Sequence, residues 1–195
     1  VEKADQLGGT WHWNRYPGAR CDIPSLQYSY QFDEELQQDW NWSEKYSAQP
    51  EILEYLNHVA DRFGLRKDIE FNTEVISATF NEERSLWEIK TSKGDVEAKF
   101  CVMATGCLSA PNTPDFEGLN SYNGQLLHTG KWPQMPVDFT DETVAIIGTG
   151  SSSIQSIPVI AEQAKHLYVF QRTANYSIPS NNGPMDPEEE SLVKS

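Results

Sequence analysis

The chain is 195 residues long, enough to bury one sizeable core, or most of one domain and part of another. Its formal net charge of −14 and its lack of any Lys/Arg cluster argue against nucleic acid or an anionic membrane surface as partner, because phosphate binding depends on clustered cations that displace counterions. No apolar stretch approaches the ~20 residues of a membrane span and no charged-then-apolar leader is seen, so a soluble protein is expected.

Val1-Glu2 reads as the tail of a strand with nothing before it to pair with, and there is no initial Met, so the start is expected to lie further upstream. After a short glycine turn, Trp11 to Tyr46 is crowded with aromatics, prolines and glycines and shows no helical or strand period; a long ordered loop, or no structure, is expected. From Pro50 the pattern changes. Ile52, Leu53, Leu56, Val59, Ala60 and Phe63 recur at helical spacing, Pro50 suits a first turn and Gly64 a C-terminal stop, which predicts a helix.

Three segments rich in Val, Ile, Phe and Trp follow, Thr73–Asn81, Leu86–Thr91 and Val96–Ala104, separated by Asn81-Glu82-Glu83-Arg84 and Ser92-Lys93-Gly94-Asp95. They predict an antiparallel meander whose last strand runs inward as Phe100-Cys101-Val102-Met103. Proline-rich sequence from Pro111 to Pro136 reads as a connection between domains. Thr143–Arg172 then reads as one strand, turn, helix and strand: Val144–Ile147, a glycine turn, a helix over about Ser152–Gln163, and Leu167–Phe170. The tail from Asn181 shows no core pattern and is expected to be disordered. Cys21, Cys101 and Cys107 are odd in number and form no C-x-x-C, which fits a reducing cytoplasm.

The strongest chemical signal is Gly148-Thr149-Gly150-Ser151-Ser152-Ser153 between a buried strand and a helix. Two glycines there permit a tight turn and close approach of backbone N–H groups to a pyrophosphate, whose charge the helix N-terminus stabilises. Ser153 replaces the third glycine of G-x-G-x-x-G, and an ordinary strand-to-helix turn is the alternative reading. At the end of the next strand, Arg172 presents a positive fork suited to a 2′-phosphate, where an acid would have suited a free ribose hydroxyl. That favours NADP over NAD, unless Arg172 is only a surface residue.

Two weaker signals flank it. Glu2 followed by Leu7-Gly8-Gly9-Thr10 could hold a second ribose beside a close backbone approach, with its own glycine turn about twenty residues upstream. Ala104-Thr105-Gly106 places small residues at the carboxyl end of a strand, where open α/β sheets bind ligands. Spacing alone leaves both open.

Gly8-Gly9-Thr10-Trp11-His12-Trp13-Asn14-Arg15-Tyr16-Pro17-Gly18-Ala19-Arg20-Cys21-Asp22 resembles, almost letter for letter, the stretch after the first FAD strand of the Baeyer–Villiger monooxygenases. Tyr122-Asn123-Gly124 through His128 to Trp132-Pro133 resembles that family's fingerprint F-x-G-x-x-x-H-x-x-x-W-P, with Tyr122 in place of Phe. Gly148–Ser153 and Phe170-Gln171-Arg172-Thr173 are similar to its NADP half. The resemblance runs from Val1 to about Pro179, and related amine- and sulfide-oxidising flavin monooxygenases usually carry Tyr or Phe where this chain has Trp132-Pro133.

The resemblance implies an α/β fold of two dinucleotide-binding, Rossmann-like domains, both incomplete here, with the β-meander in the first. It divides the chain into an FAD-binding domain over 1–118, a linker over 119–140 and the start of an NADP-binding domain over 141–195. It implies FAD contacts at Glu2, Gly8, Gly9, Thr10, Trp11, Asp22 and Tyr28, with the backbones of Val75 and of Ala104, Thr105, Gly106 and Cys107. It implies NADP contacts at Arg20, Cys21 and Asp22, at Gly148, Thr149, Gly150, Ser151, Ser152, Ser153, Ile154 and Gln155, and at Arg172 and Thr173. His128 and Trp132 are implied to position the domains, a lone His needing a neighbour to shuttle protons.

The activity so implied uses FAD, NADPH and O2 to insert one oxygen beside a ketone carbonyl, giving an ester or lactone. In the family an arginine near the flavin stabilises the anionic intermediate; it lies beyond this chain, with Asp22 as its implied carboxylate partner. The chain alone is therefore expected not to turn over. An amine- or sulfide-oxidising flavin monooxygenase and a non-catalytic nucleotide-binding scaffold stay as alternatives, while the missing C-x-x-C disfavours a dithiol reductase.

Overall fold

The computed structural model describes residues 1–195. Four helices come first: α1 (Thr10–Trp13), α2 (Ser25–Tyr28), α3 (Glu34–Asp39) and α4 (Gln49–Arg62). Helix α4 follows the apolar spacing that predicted it. Pro50 lies in its first turn, and Gly64 takes the left-handed conformation just beyond its end (φ 61°).

The expectation of a featureless loop over Trp11–Tyr46 is corrected. This segment folds into α1–α3, and it supplies Cys21, Leu26, Leu36 and Trp42 to a core completed by Ile52, Tyr55 and Val59 of α4. Helices of four to six residues are too short to display a period. Their order comes from packing: Leu36 is fully buried, and the Trp42 ring lies 4.9 Å from that of Tyr55. Burying an aliphatic side chain of this kind contributes roughly 1.5–3 kcal/mol, which outweighs the weak propensity of so short a helix.

The meander forms as β1 (Val75–Asn81), β2 (Leu86–Thr91) and β3 (Gly94–Ala98), antiparallel in that order, with Phe80 paired to Trp87 and Trp87 to Ala98. Arg84 in the first turn forks onto both carboxylate oxygens of Glu97. The third strand differs from expectation. It begins and ends earlier, and Phe100, Val102 and Met103 lie outside any ladder with 85%, 89% and 61% of their surface exposed. An apolar run folds inward as a strand only where a neighbouring strand satisfies its backbone, and none in this chain pairs with residues 99–104. Val1-Glu2 is likewise not a strand, although the Glu2 N–H donates to Glu70 O (2.9 Å) and its carbonyl accepts from Thr73 N (2.8 Å).

After an irregular stretch with single turns at Leu119–Ser121 and Thr129–Lys131 come β4 (Thr143–Ile147), α5 (Ser151–Gln163) and β5 (His166–Phe170). Strands β4 and β5 are parallel and pair Thr143 with His166 through Ile147 with Phe170. A final helix, α6 (Pro187–Lys194), corrects the expectation of a disordered tail. Asp186 caps it by accepting from Glu188 N (2.9 Å), and Lys194 Nζ donates to Trp40 O (2.7 Å) and Asn41 Oδ1 (2.9 Å), tying it to the first core. No helix is long and apolar enough to cross a membrane.

Candidate dinucleotide sites

The turn between β4 and α5 has the shape the glycine pattern requires. Gly148 has a φ of 106°, which a side chain would strain, and its N–H continues the parallel ladder by donating to Phe170 O (2.8 Å). Gly150 caps α5 in extended conformation, and no side chain caps that end. The N–H groups of Ser151, Ser152 and Ser153 therefore have no intrahelical acceptor and form a ready anion cradle. A Cβ built on Gly150 would meet no atom within 4 Å, so open space lies over the cradle. Ser153 fits in place of the third glycine: its Oγ is 3.9 Å from where a Gly148 Cβ would stand.

Arg172 lies two residues past β5 and is exposed, with Thr173 beside it. Thr149 Oγ1 accepts from Gln171 Nε2 (2.7 Å), a residue of the Phe170–Thr173 motif with no implied contact of its own, and from Asn175 Nδ2 (3.2 Å), which lies outside every motif. Ile154 is exposed on the second turn of α5. Gln155 faces the other unit. Its Oε1 accepts from Tyr16 OH (2.9 Å) and Arg20 N (3.3 Å), while its Nε2 donates to Arg20 O (3.1 Å).

The Arg20 guanidinium itself is committed to Glu44 Oε2 (2.9 Å) and Tyr46 O (3.2 Å), so what Arg20 offers α5 is its peptide group. Next to it Cys21 is buried and Asp22 exposed. Burial is the main reason the Cys21 thiol is pushed up from its ordinary pKa, which keeps it unreactive. Cys21, Cys101 and Cys107 are all free thiols.

At the front, Gly8 and Gly9 both adopt positive φ (123° and 49°) and lead into α1. A Cβ on Gly8 would come within 2.5 Å of Leu53 Cδ1, whereas Gly9 faces open space, so the first glycine serves packing against α4 and the second leaves room for a ligand. On α1, Thr10 is exposed, and Trp11 Nε1 donates to Tyr28 OH (2.9 Å) with the two rings edge to face at 5.9 Å. One Glu2 carboxylate oxygen accepts from Ala4 N (2.8 Å). Val75 is exposed at the start of β1. Ala104–Cys107 is exposed and bonded only locally, through Ala104 N to Val102 O and Ser109 Oγ to Thr105 O, with Gly106 at φ 71°. The chain thus joins Trp11 to Tyr28 and Arg20 to Gln155, but does not join 104–107 to the glycine turn.

His12, inside the Gly8–Asp22 motif, is buried at 3% exposure. Its Nδ1 faces Arg15 Nη2 (3.4 Å) and its Nε2 faces Asp5 Oδ1 (3.3 Å). Burial, then Arg15, hold its pKa below the ordinary value, and Asp5 and Glu2 offset part of this. In the connecting stretch, His128 Nδ1 accepts from Gly130 N (3.0 Å), so Nε2 carries the hydrogen and donates to Asn112 O (3.1 Å). Trp132 lies 6.3 Å from the buried ring of Phe139.

Comparison with known proteins identifies the scaffold. The profile of the family described as pyridine nucleotide-disulphide oxidoreductase matches residues 25–184. A Baeyer–Villiger monooxygenase of Pseudooceanicola batsensis is 48% identical over 186 residues, spanning 95% of this chain and 34% of that protein. A phenazine N-monooxygenase of Lysobacter antibioticus is 43% identical over 182 residues, 93% of this chain and 34% of that protein. Among solved structures, an oxidized steroid monooxygenase bound to NADP superposes with a TM-score of 0.93 at 58% identity, over 99% of this chain and 37% of that one. The OTEMO complex with FAD and NADP superposes at 0.91 and 43% identity, over 99% and 37%. The chain thus spans little more than a third of the length of the relatives it matches. It belongs to the pyridine nucleotide-disulphide oxidoreductase family, and over nearly its whole length it is similar to Baeyer–Villiger and related flavin monooxygenases.

Proposed function

We propose that the protein is an FAD- and NADPH-dependent monooxygenase that uses O2 to place one oxygen beside a ketone carbonyl, giving an ester or lactone. The observation that carries the reading is the open, uncapped start of α5 behind Gly148 and Gly150, with exposed Arg172 just past β5, in a chain of this family. Residues 1–118 are assigned to the FAD side, 119–140 to the linker and 141–195 to the NADP side, which the two separate sheets support.

When bound, NADPH would supply the hydride, and FAD would accept it and activate oxygen. The residues of this chain bind and orient. Ser151, Ser152 and Ser153 offer N–H donors to the NADP pyrophosphate, and Arg172 with Thr173 meets the 2′-phosphate. Gly9 leaves room for FAD beside Thr10 and Trp11, and Glu2 keeps a carboxylate oxygen for a ribose. The remaining assigned contacts are Gly8, Tyr28, Val75 and 104–107 for FAD, Asp22 for both cofactors, and Arg20, Cys21, Gly148, Thr149, Gly150, Ile154 and Gln155 for NADP. The three free thiols support a cytoplasmic location.

The test is to incubate the full-length protein with NADPH, a panel of linear, cyclic and steroid ketones, and 18O2. Ester or lactone carrying one 18O supports the reading. NADPH-dependent N-oxide from a heteroaromatic amine, with no ester from any ketone, would replace it with a nitrogen-oxidising reading, which the 43% identity to the phenazine N-monooxygenase favours as second choice.

A further inference from the structure

The loop that follows β5 bends back over the glycine turn. Gly148 N–H donates to Phe170 O (2.8 Å), which fixes the end of β5 beside the turn and brings Gln171, the next residue, against Thr149. Thr149 Oγ1 then accepts two hydrogen bonds, from Gln171 Nε2 at 2.7 Å and Asn175 Nδ2 at 3.2 Å. A hydroxyl has two acceptor lone pairs and one hydrogen. With both acceptor sites filled by amide N–H groups, the oxygen has no lone pair left to face an anion, and its own hydrogen has no acceptor in the chain.

Resting on the NADP reading above, we propose that Gln171 and Asn175 are positioning residues for the dinucleotide: they lock the Thr149 hydroxyl as a donor to a pyrophosphate oxygen at the start of α5. An unlocked hydroxyl would rotate, and in some rotamers would turn its lone pairs on the phosphate. The two amides remove those rotamers before the ligand arrives, so less ordering is left for binding to impose. Because the pyrophosphate is common to NADP and NAD, this lock acts on both dinucleotides alike, unlike Arg172.

The experiment is a double-substitution cycle on the full-length, FAD-loaded protein, with Kd for NADP+ read by titration calorimetry and FAD content and melting temperature recorded for each variant. Gln171→Leu is expected to weaken NADP+ about five- to tenfold with unchanged FAD content, the scale of one lost hydrogen bond. Asn175→Ala is expected to weaken it less, and Thr149→Ser to keep it. In a Thr149→Val background, Gln171→Leu should have no further effect, because its partner is gone. Unchanged Kd for Gln171→Leu overturns the assignment, as does an equal loss in both backgrounds, which would make Gln171 a direct contact. If the unsubstituted protein binds no NADP+, the site reading falls and this assignment with it.

Discussion

The side-chain amide of Gln155 pairs with the peptide group of Arg20 as one strand pairs with another: Oε1 accepts from Arg20 N at 3.3 Å and Nε2 donates to Arg20 O at 3.1 Å. Tyr16 OH adds a third bond to Oε1 at 2.9 Å. A residue one turn into α5 thereby holds a loop 135 positions earlier, the loop that carries Cys21 and Asp22. Gly18 seals the joint. Its φ is 75°, and a Cβ there would lie 2.2 Å from Gln155 O.

Gln155→Leu removes all three bonds while roughly keeping volume, and leaves Arg20 N and O to find water. For three hydrogen bonds at about 0.5–1.5 kcal/mol net each, a loss of roughly 1.5–4.5 kcal/mol in urea unfolding is expected. Tyr16→Phe removes one bond and should cost no more than about 1.5 kcal/mol. Equal costs for the two variants would mean that the Arg20 pairing contributes nothing. Gly18→Ala should be the worst of the set, since it adds both a backbone penalty and a clash with main chain.

How legible this was depends on the range of the contacts. Helix α4 and the β4–α5–β5 unit declare themselves through local periodicity, a proline at the first turn, a glycine at the stop and glycines at the turn. The cradle at Ser151–Ser153 follows directly. Trp11–Tyr46 hides its structure because Leu36, Trp42 and Tyr55 are brought together by tertiary packing, which no window of sequence reports. Phe100–Met103 misleads in the opposite sense, since composition signals burial while no strand of this chain stands beside it. Helix α6 had a local signal that composition masked: Asp186 as cap, Pro187 at the first turn, acids in that turn and Lys194 in the last. The Gln155 and Gln171 contacts join residues far apart in sequence, so no motif predicts them.

Arg172 is the proposed reader of the 2′-phosphate. Its guanidinium is exposed and enters no ion pair in the chain, so its removal should not disturb the fold. A charge-assisted hydrogen bond is worth about 1.5–3 kcal/mol, which predicts that Arg172→Ala weakens NADPH roughly ten- to a hundredfold. NADH, lacking the phosphate, should bind nearly as before. Steady-state KM for both cofactors decides it, and equal losses would remove Arg172 from this role.

His12 predicts a pH dependence of stability. Its pKa is lowered in the folded chain, first by burial and then by Arg15, against the smaller opposing pull of Asp5 and Glu2. The unfolded chain therefore binds the proton more readily, and stability rises with pH across the window between the lowered folded value and the ordinary 6.5. Acidification through that window should destabilise the protein, and the effect should level off below the folded value. Melting temperatures from pH 7.5 downward, about half a unit apart, would show a slope that His12→Gln reduces. An unchanged slope in that variant would assign the acid sensitivity to other groups.

The stretch between the two sheets is fastened by His128 and Trp132. His128 holds it to Asn112 O through Nε2 and to Gly130 N through Nδ1, and Trp132 lies against buried Phe139, four residues before β4 begins. Both His128 nitrogens are used, so the ring fastens the backbone and has no free site for proton transfer. Trp132→Ala removes the ring that lies against Phe139 at the entry to β4, a contact separate from Gly8–Trp11 and Tyr28. We therefore expect FAD content to stay at the unsubstituted level while flavin reduction by NADPH slows by about tenfold or more, since small displacements of reacting groups are costly. Stopped-flow reduction rates beside the flavin-to-protein absorbance ratio separate the outcomes. A yellow, slow variant places Trp132 in the alignment of the two nucleotide sites, and a colourless one makes it a folding residue of the front unit instead.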